Sequence, residues 1–236
     1  MTLLPIPAFA DNYIWLLENG ETAWIVDPGD AAPALEVLHE KNLQLAGILL
    51  THHHPDHSGG IAELLKHYQV PVYGPDNSPV RVLISHPLQD GSCITLGNMA
   101  FSVIAIPGHT LDHIAFYSAA EKILFCGDTL FSAGCGRVFE GTHEQMYQAL
   151  LKLAELPDDT MVCCGHEYTL SNLRFAASLE PANNNILEHQ KQCEILRAKN
   201  LPTLPSTIAQ EKKINPFLRC HSAAEFSERR TLKNNF

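Results

Sequence analysis

The chain has 236 residues, enough for one large domain or a domain with an appendage and too few for two full-sized ones. With 45% hydrophobic and 18% charged residues it can bury a substantial core, which excludes a disordered chain. Its formal net charge of −10 opposes nucleic acid and anionic membranes at long range, so an anionic ligand must find a local basic patch. No apolar run approaches the roughly 20 residues of a bilayer span, and Met1-Thr-Leu-Leu-Pro-Ile-Pro lacks the features of a signal peptide. A cytoplasmic protein is expected. The seven cysteines form no C-x-x-C pair, and most are read as reduced core thiols.

In chain order, Asn12 to Leu17 and Ala23 to Val26 read as two strands around the Glu18-Asn-Gly turn. Asp30 caps a helix over Pro33 to Lys41, and a second helix is expected over Ile61 to Tyr68. A third covers Glu144 to Leu156, with Thr142 and Gln145 spaced as a capping box. Four short apolar segments run into polar loops: Gly47 to Leu50 into Thr51-His-His-His-Pro-Asp-His, Phe101 to Ile106 into Pro107-Gly-His-Thr, Ile123 to Cys126 into Gly127-Asp-Thr, and Met161 to Cys164 into Gly165-His-Glu-Tyr. Strands ending in such loops bring them together along one rim of a sheet. From about Thr169 the pattern turns helical, over Leu170 to Leu179 and Ile186 to Lys199, with breaks at Pro202 and Pro205. The pattern predicts two sheets enclosed by helices in residues 1–168, of α/β or α+β class, and a small helical appendage over 169–236.

Four of the 13 histidines fall within six positions. His52, His54, Asp56 and His57 form H-x-H-x-D-H, a density of imidazole and carboxylate that core histidines do not produce. A tight loop cannot wrap four ligands around one ion, but two neighbouring ions can share them. The other strand-end loops each add a candidate after a glycine: His109, Asp128 and His166. The expectation is one ion held by His52, His54 and His109, a second by Asp56, His57 and His166, and Asp128 as bridge. Asp56 and Asp128 are thus the catalytic carboxylates. Two divalent ions against two carboxylates and a hydroxide leave a small positive charge, suited to an anionic transition state. Zinc is expected first, and iron or manganese also suit His and Asp. His53 should point away from the metals, and His113 is read as a supporting or packing residue. His39, His67, His86, His143, His189 and His221 lack such context.

The loop Thr51-His-His-His-Pro-Asp-His-Ser-Gly-Gly resembles the signature of the metallo-β-lactamase superfamily. Asp11-Asn-Tyr, Asp27-Pro-Gly-Asp, Pro107-Gly-His-Thr, Phe125-Cys-Gly-Asp-Thr-Leu-Phe, Gly134-Cys-Gly-Arg, Phe139-Glu-Gly-Thr and Gly165-His-Glu-Tyr-Thr are similar to the glyoxalase II family within it. The resemblance covers essentially the whole chain. It implies an αββα four-layer sandwich with a C-terminal helical region, a binuclear site and hydrolysis of S-(2-hydroxyacyl)glutathione, typically S-lactoylglutathione, in methylglyoxal detoxification. Arg230-Thr-Leu-Lys233-Asn-Asn-Phe236 is similar to the family's terminal R-x-x-K-D-x-F, with Asn234 in place of Asp, and implies that Arg230 and Lys233 hold glutathione carboxylates. Without it, they would read as a solvated helix face. Arg137, Phe139 and Tyr168 match positions lining the same pocket, Phe139 standing where some members have tyrosine. Asp112 stands where glycine is usual, an added carboxylate expected near the metals.

A water acidified by two cations is the expected nucleophile. No G-x-S-x-G elbow is present and Cys135 has no evident base, so a protein nucleophile is not indicated. The rival reading is a glutathione-persulfide dioxygenase with mononuclear iron on the same fold, which would leave several of the seven ligands unused. A non-enzymatic metal-binding module is a third. The expected partner is a glutathione thioester, without nucleic acid or membrane, and the expected state is a monomer.

Overall fold

A computed structural model describes residues 1–236, which form two compact units: Met1–Ala105 with Asp112–Glu121, and Ile106–Leu111 with Lys122–Phe236.

The first unit carries a six-stranded sheet ordered as in sequence: β1 (Thr2–Ala8), β2 (Asn12–Asn19), β3 (Thr22–Val26), β4 (Gln44–Leu49), β5 (Val72–Pro75) and β6 (His86–Leu88). The first three strands pair antiparallel, and Gly20, at φ 66, supplies the positive φ of the tight turn between β2 and β3. From β3 to β6 the pairing is parallel. Crossovers are therefore needed, and helix α1 (Ala31–Glu40) joins β3 to β4 while α2 (Pro55–Ser58) and α3 (Ile61–His67) lie between β4 and β5. Asp30 caps α1 by accepting from Ala32 N, as its sequence position predicts. Ala31, Ala34 and Leu38 put the apolar face of α1 into a core with Ile14, Leu16, Ile25, Ile48 and Leu50. β7 (Cys93–Leu96), β8 (Met99–Ala105) and β9 (Ile114–Ser118) form an antiparallel meander in the same unit.

In the second unit β10 (Ile123–Gly127) pairs parallel with β13 (Met161–Cys164), and α4 (His143–Ala154) lies between them in sequence. The predicted capping box of α4 is present in both directions, between Thr142 and Gln145. Because β10 and β13 are parallel neighbours, the loops carrying Asp128 and His166 leave the same edge. A two-rung hairpin joins β11 (Leu130–Phe131) to β12 (Gly134–Cys135), and β14 (Ser206–Thr207) adds antiparallel to β13. The predicted tail helices are α5 (Thr169–Leu179) and α6 (Asn184–Ala198), followed by α7 (Ile208–Ile214) and α8 (Ala223–Asn234). Leu173, Ala176, Ile186, Cys193 and Ile214 enclose Ala133 in a separate apolar cluster. All seven cysteines are free thiols, and only Cys93 is exposed. No helix is long and apolar enough to cross a membrane.

Candidate metal centre

In the first unit β3 and β4 run parallel, so Asp27 just past β3 lies beside Thr51 just past β4. Asp27 is buried and its backbone sits at φ 54, a left-handed conformation uncommon outside glycine and found at functional sites. Its Oδ1 accepts from Thr51 N at 2.7 Å; its Oδ2 accepts from Thr51 Oγ1 at 2.7 Å and from His57 Nδ1 at 3.0 Å. A carboxylate only accepts, so His57 carries its proton on Nδ1 and presents a bare Nε2 in the neutral ring. The Thr51 hydroxyl already donates its hydrogen bond to Asp27. It therefore accepts from His52 Nδ1 at 3.0 Å, and the neutral His52 ring also presents Nε2.

His54 precedes α2, and Pro55 starts that single turn, where the missing N–H is no loss. The His54 and His57 rings lie 4.8 and 4.2 Å from that of His52 between centroids. Asn12 donates to Asp56 Oδ2 at 2.9 Å, and the same carboxylate oxygen lies 3.5 Å from His57 Nε2. Backbone packs directly on backbone here, since a Cβ at Gly29 would run into the Asp56 carbonyl. His53 takes another partner, its Nδ1 lying 2.9 Å from Asp112 Oδ1, and the His113 ring stacks on His52 at 4.5 Å. Asp112, which stands where the resembled family usually has glycine, is buried with this carboxylate oxygen beside His53.

In the second unit His109 Nδ1 lies 2.7 Å from the Arg137 carbonyl, which can only accept. When neutral, His109 therefore presents Nε2, 3.4 Å from Asp128 Oδ2, and His166 Nε2 is 3.2 Å from that same oxygen. With its proton on Nδ1, a neutral His109 sets the Nε2 lone pair against the lone pairs of the Asp128 oxygen. A divalent cation turns that repulsion into coordination, and imidazole with carboxylate is a donor set such cations take. The same pairing in the first unit, His57 with Asp56, gives the same result. The residues of both units fit the metals that the sequence implies.

His166 stacks on half-buried Tyr168 at 4.7 Å and 4°, and Phe131 meets both rings edge-on. Phe139, exposed, stands edge-on to His109 at 5.3 Å; Arg137 is exposed. The tail differs from a solvated helix face. Arg230 is only 3% exposed: it donates to the Cys135 carbonyl at 2.8 Å and lies over the Phe217 ring. Lys233 donates to Ser171 O at 3.1 Å and sits 5.2 Å from the centroids of both Phe175 and Phe236. Partial burial, with Arg230 and Arg174 nearby, pushes its ammonium down to about 8. Burial pushes the Cys126 and Cys163 thiols up, away from thiolate chemistry.

Sequence reasoning did not single out Asp27, Thr51 and Asn12 as site residues. Their signal is that all three lie inside motifs of the family resemblance, Asp27-Pro-Gly-Asp, Thr51-His-His-His and Asp11-Asn-Tyr.

Residues 9–166 match the family model for the metallo-beta-lactamase superfamily, and residues 167–236 match the model for the hydroxyacylglutathione hydrolase C-terminus. The chain belongs to the hydroxyacylglutathione hydrolases of the metallo-β-lactamase superfamily. A hydroxyacylglutathione hydrolase of Chromohalobacter salexigens is 55% identical over 222 residues, spanning 93% of this chain and 87% of that protein. ETHE1 from Myxococcus xanthus matches with a TM-score of 0.74 at 25% identity, covering 98% of this chain and 90% of that one. TTHA1623, solved in a di-iron-bound form, matches at 0.65 and 25% identity over 91% of this chain and 99% of that one. The fold of this hydroxyacylglutathione hydrolase family member is therefore the metallo-β-lactamase fold, with a C-terminal helical region.

Proposed function

We propose that the chain hydrolyses S-(2-hydroxyacyl)glutathione thioesters, S-lactoylglutathione to glutathione and D-lactate, using two divalent ions. One observation carries the reading: a chain bearing seven imidazole and carboxylate donors continues into the C-terminal region that defines hydroxyacylglutathione hydrolases. His52, His54 and His109 would hold one ion, Asp56, His57 and His166 the other, and Asp128 both. The single Asp128 oxygen within 3.4 Å of His109 and 3.2 Å of His166 supports a bridge, because the two imidazoles belong to different proposed sets. The di-iron form of TTHA1623 supports a count of two on this fold. Zinc is the proposed metal, with iron or manganese as alternatives.

Bound divalent ions supply Lewis acidity, lowering the pKa of water toward about 7 and polarising a carbonyl. The protein supplies orientation. Asp27 and the Arg137 carbonyl fix which nitrogen each imidazole offers, and Asn12 fixes the Asp56 carboxylate. Asp56 and Asp128 are the proposed carboxylates at the reacting water. Arg137, Phe139, Tyr168, Arg230 and Lys233 are proposed for the glutathione moiety, with residues 169–236 as the substrate-binding region after a catalytic domain over 1–168. A glutathione thiolate leaves readily, so no acid is assigned to it. We place the protein in the cytoplasm as a monomer; its seven free thiols suit a reducing compartment.

The rival, a mononuclear iron dioxygenase, needs two histidines and one carboxylate and would leave several of the seven proposed donors unused. Thiol release from S-lactoylglutathione by the metal-loaded protein supports hydrolysis. Oxygen uptake with glutathione persulfide and no thiol release would replace it with the dioxygenase.

A further inference from the structure

Between β11 and β12 the chain reverses over Ser132 and Ala133, with Ala133 at φ 54. Two rungs cannot hold such a hairpin by themselves. Side chains from later elements bind its backbone groups instead. Asn172 of α5 donates to the Ser132 carbonyl at 3.0 Å; Asn215, just past α7, donates to the carbonyls of Phe131 at 3.1 Å and Gly134 at 2.9 Å. Glu211 of α7 accepts from Ala133 N at 2.7 Å and from Asn215 Nδ2 at 3.1 Å, both on Oε2. Glu211 and Asn215 are fully buried.

The other side of the turn faces the site. Its Phe131 ring stands edge-on to Tyr168 and His166, and the Cys135 carbonyl receives Arg230. A fully buried carboxyl is a costly residue to place where a neutral acceptor would serve. Burial pushes Glu211 up to about 7, against the Ser206 and Ser132 hydroxyls, the Ala133 N–H and the Asn215 amide, which favour its ionised form.

We propose that Glu211 is a positioning residue: through Ala133 N and Asn215 it fixes the Phe131–Gly134 turn, and thereby the setting of Phe131 against His166 and Tyr168 and of the Cys135 carbonyl against Arg230. Reach matters more than charge, because both hydrogen bonds converge on one oxygen. Glu211→Gln keeps an oxygen at that point and turns its amide toward hydroxyls able to accept. Glu211→Asp keeps the charge and withdraws the oxygen by one methylene.

The test is hydrogen exchange of residues 131–135, corrected for global stability, in the wild type, Glu211→Gln, Glu211→Asp and a control, Ile208→Val. Ile208 is fully buried in the same helix but lies outside the cluster that holds Ala133. Glu211→Asp should speed exchange of this segment about tenfold, the size of one lost buried hydrogen bond, while Glu211→Gln and the control stay near the wild type. Freed from an ionised buried carboxyl, Glu211→Gln should also melt at or above the wild-type temperature at pH 8. A second readout rests on the glutathione reading: KM for S-lactoylglutathione should rise roughly three- to tenfold in Glu211→Asp alone. Exchange in Glu211→Asp no faster than in the control, or Glu211→Gln exchanging as fast as Glu211→Asp, overturns the proposal. A wild type inert to S-lactoylglutathione overturns only the functional reading, since the exchange result stands without it.

Discussion

The two units assemble the proposed metal donors by opposite routes. In the first, four donors fall within six residues of chain, and the supports come from neighbouring strand ends: Asp27 after β3, Thr51 after β4 and Asn12 at the start of β2. In the second, His109, Asp128 and His166 come from three separate segments, and their supports are equally scattered, from the Arg137 carbonyl to the Tyr168 ring. A local cluster is set by a few hydrogen bonds to one loop. A dispersed one depends on the tertiary structure that brings its segments together, so it should be harder to damage through supports and easier to damage through a shared ligand.

The largest effect is expected at the shared ligand. Asp128→Ala should reduce hydrolysis by about a thousandfold or more, the loss expected when several kcal/mol of metal-derived stabilisation are removed, and should lower metal content. Asp112→Ala, which removes the carboxylate beside His53, should retain most of its metal. Equal metal loss in both variants would remove Asp128 as the bridge and end the contrast between shared and supporting carboxylates.

A support in the local cluster should matter less than the shared ligand. Asn at position 27 can donate to His57 Nδ1, moving the ring proton onto the nitrogen that should face the metal. Asp27→Asn is therefore expected to weaken metal affinity about 10- to 100-fold in a chelator competition while the protein stays folded. Unchanged affinity would show that Asp27 serves the backbone turn alone.

The smallest effects belong to the tail. Lys233→Ala should raise KM for a glutathione thioester about tenfold with little change in kcat, because a contact remote from the scissile bond binds ground and transition states alike. A thioester lacking glutathione should be scarcely affected. The lysine lies near 8 in the free protein, so its cation is lost as pH rises through that value, and wild-type KM should climb above pH 8. Lys233→Arg, charged throughout, should not show the climb. Arg230→Ala should raise KM to a similar degree and also cost stability, since it removes the donor to the Cys135 carbonyl. Kinetics on both substrates, with melting of each variant, check these outcomes.

The same contrast explains what could be read from the chain. The Asp30 cap and the Thr142/Gln145 box are local signals, and the structure contains each where the sequence puts it; the H-x-H-x-D-H loop is equally local, its four proposed donors falling within six residues. The strand before each of the four donor loops was legible too, as β4, β8, β10 and β13. β1 was not, because Pro5 and Pro7 argue against a strand. They are tolerated because β1 is the sheet's edge and pairs only with β2. The burial of Arg230 was equally hidden, since the groups that receive it, the Cys135 carbonyl and the Phe217 ring, lie 95 and 13 positions away. Glu211 sits in a short helix, Ile208–Ile214, whose charged sequence gives no sign that one carboxyl is fully buried.

The proposed chemistry needs two ions shared by two sets of donors. Titrating the metal-free protein with zinc while following thiol release from S-lactoylglutathione tests it directly. Activity should rise to its plateau at two equivalents and vanish on chelation. A plateau of full activity at one equivalent, unchanged by the second, would contradict it.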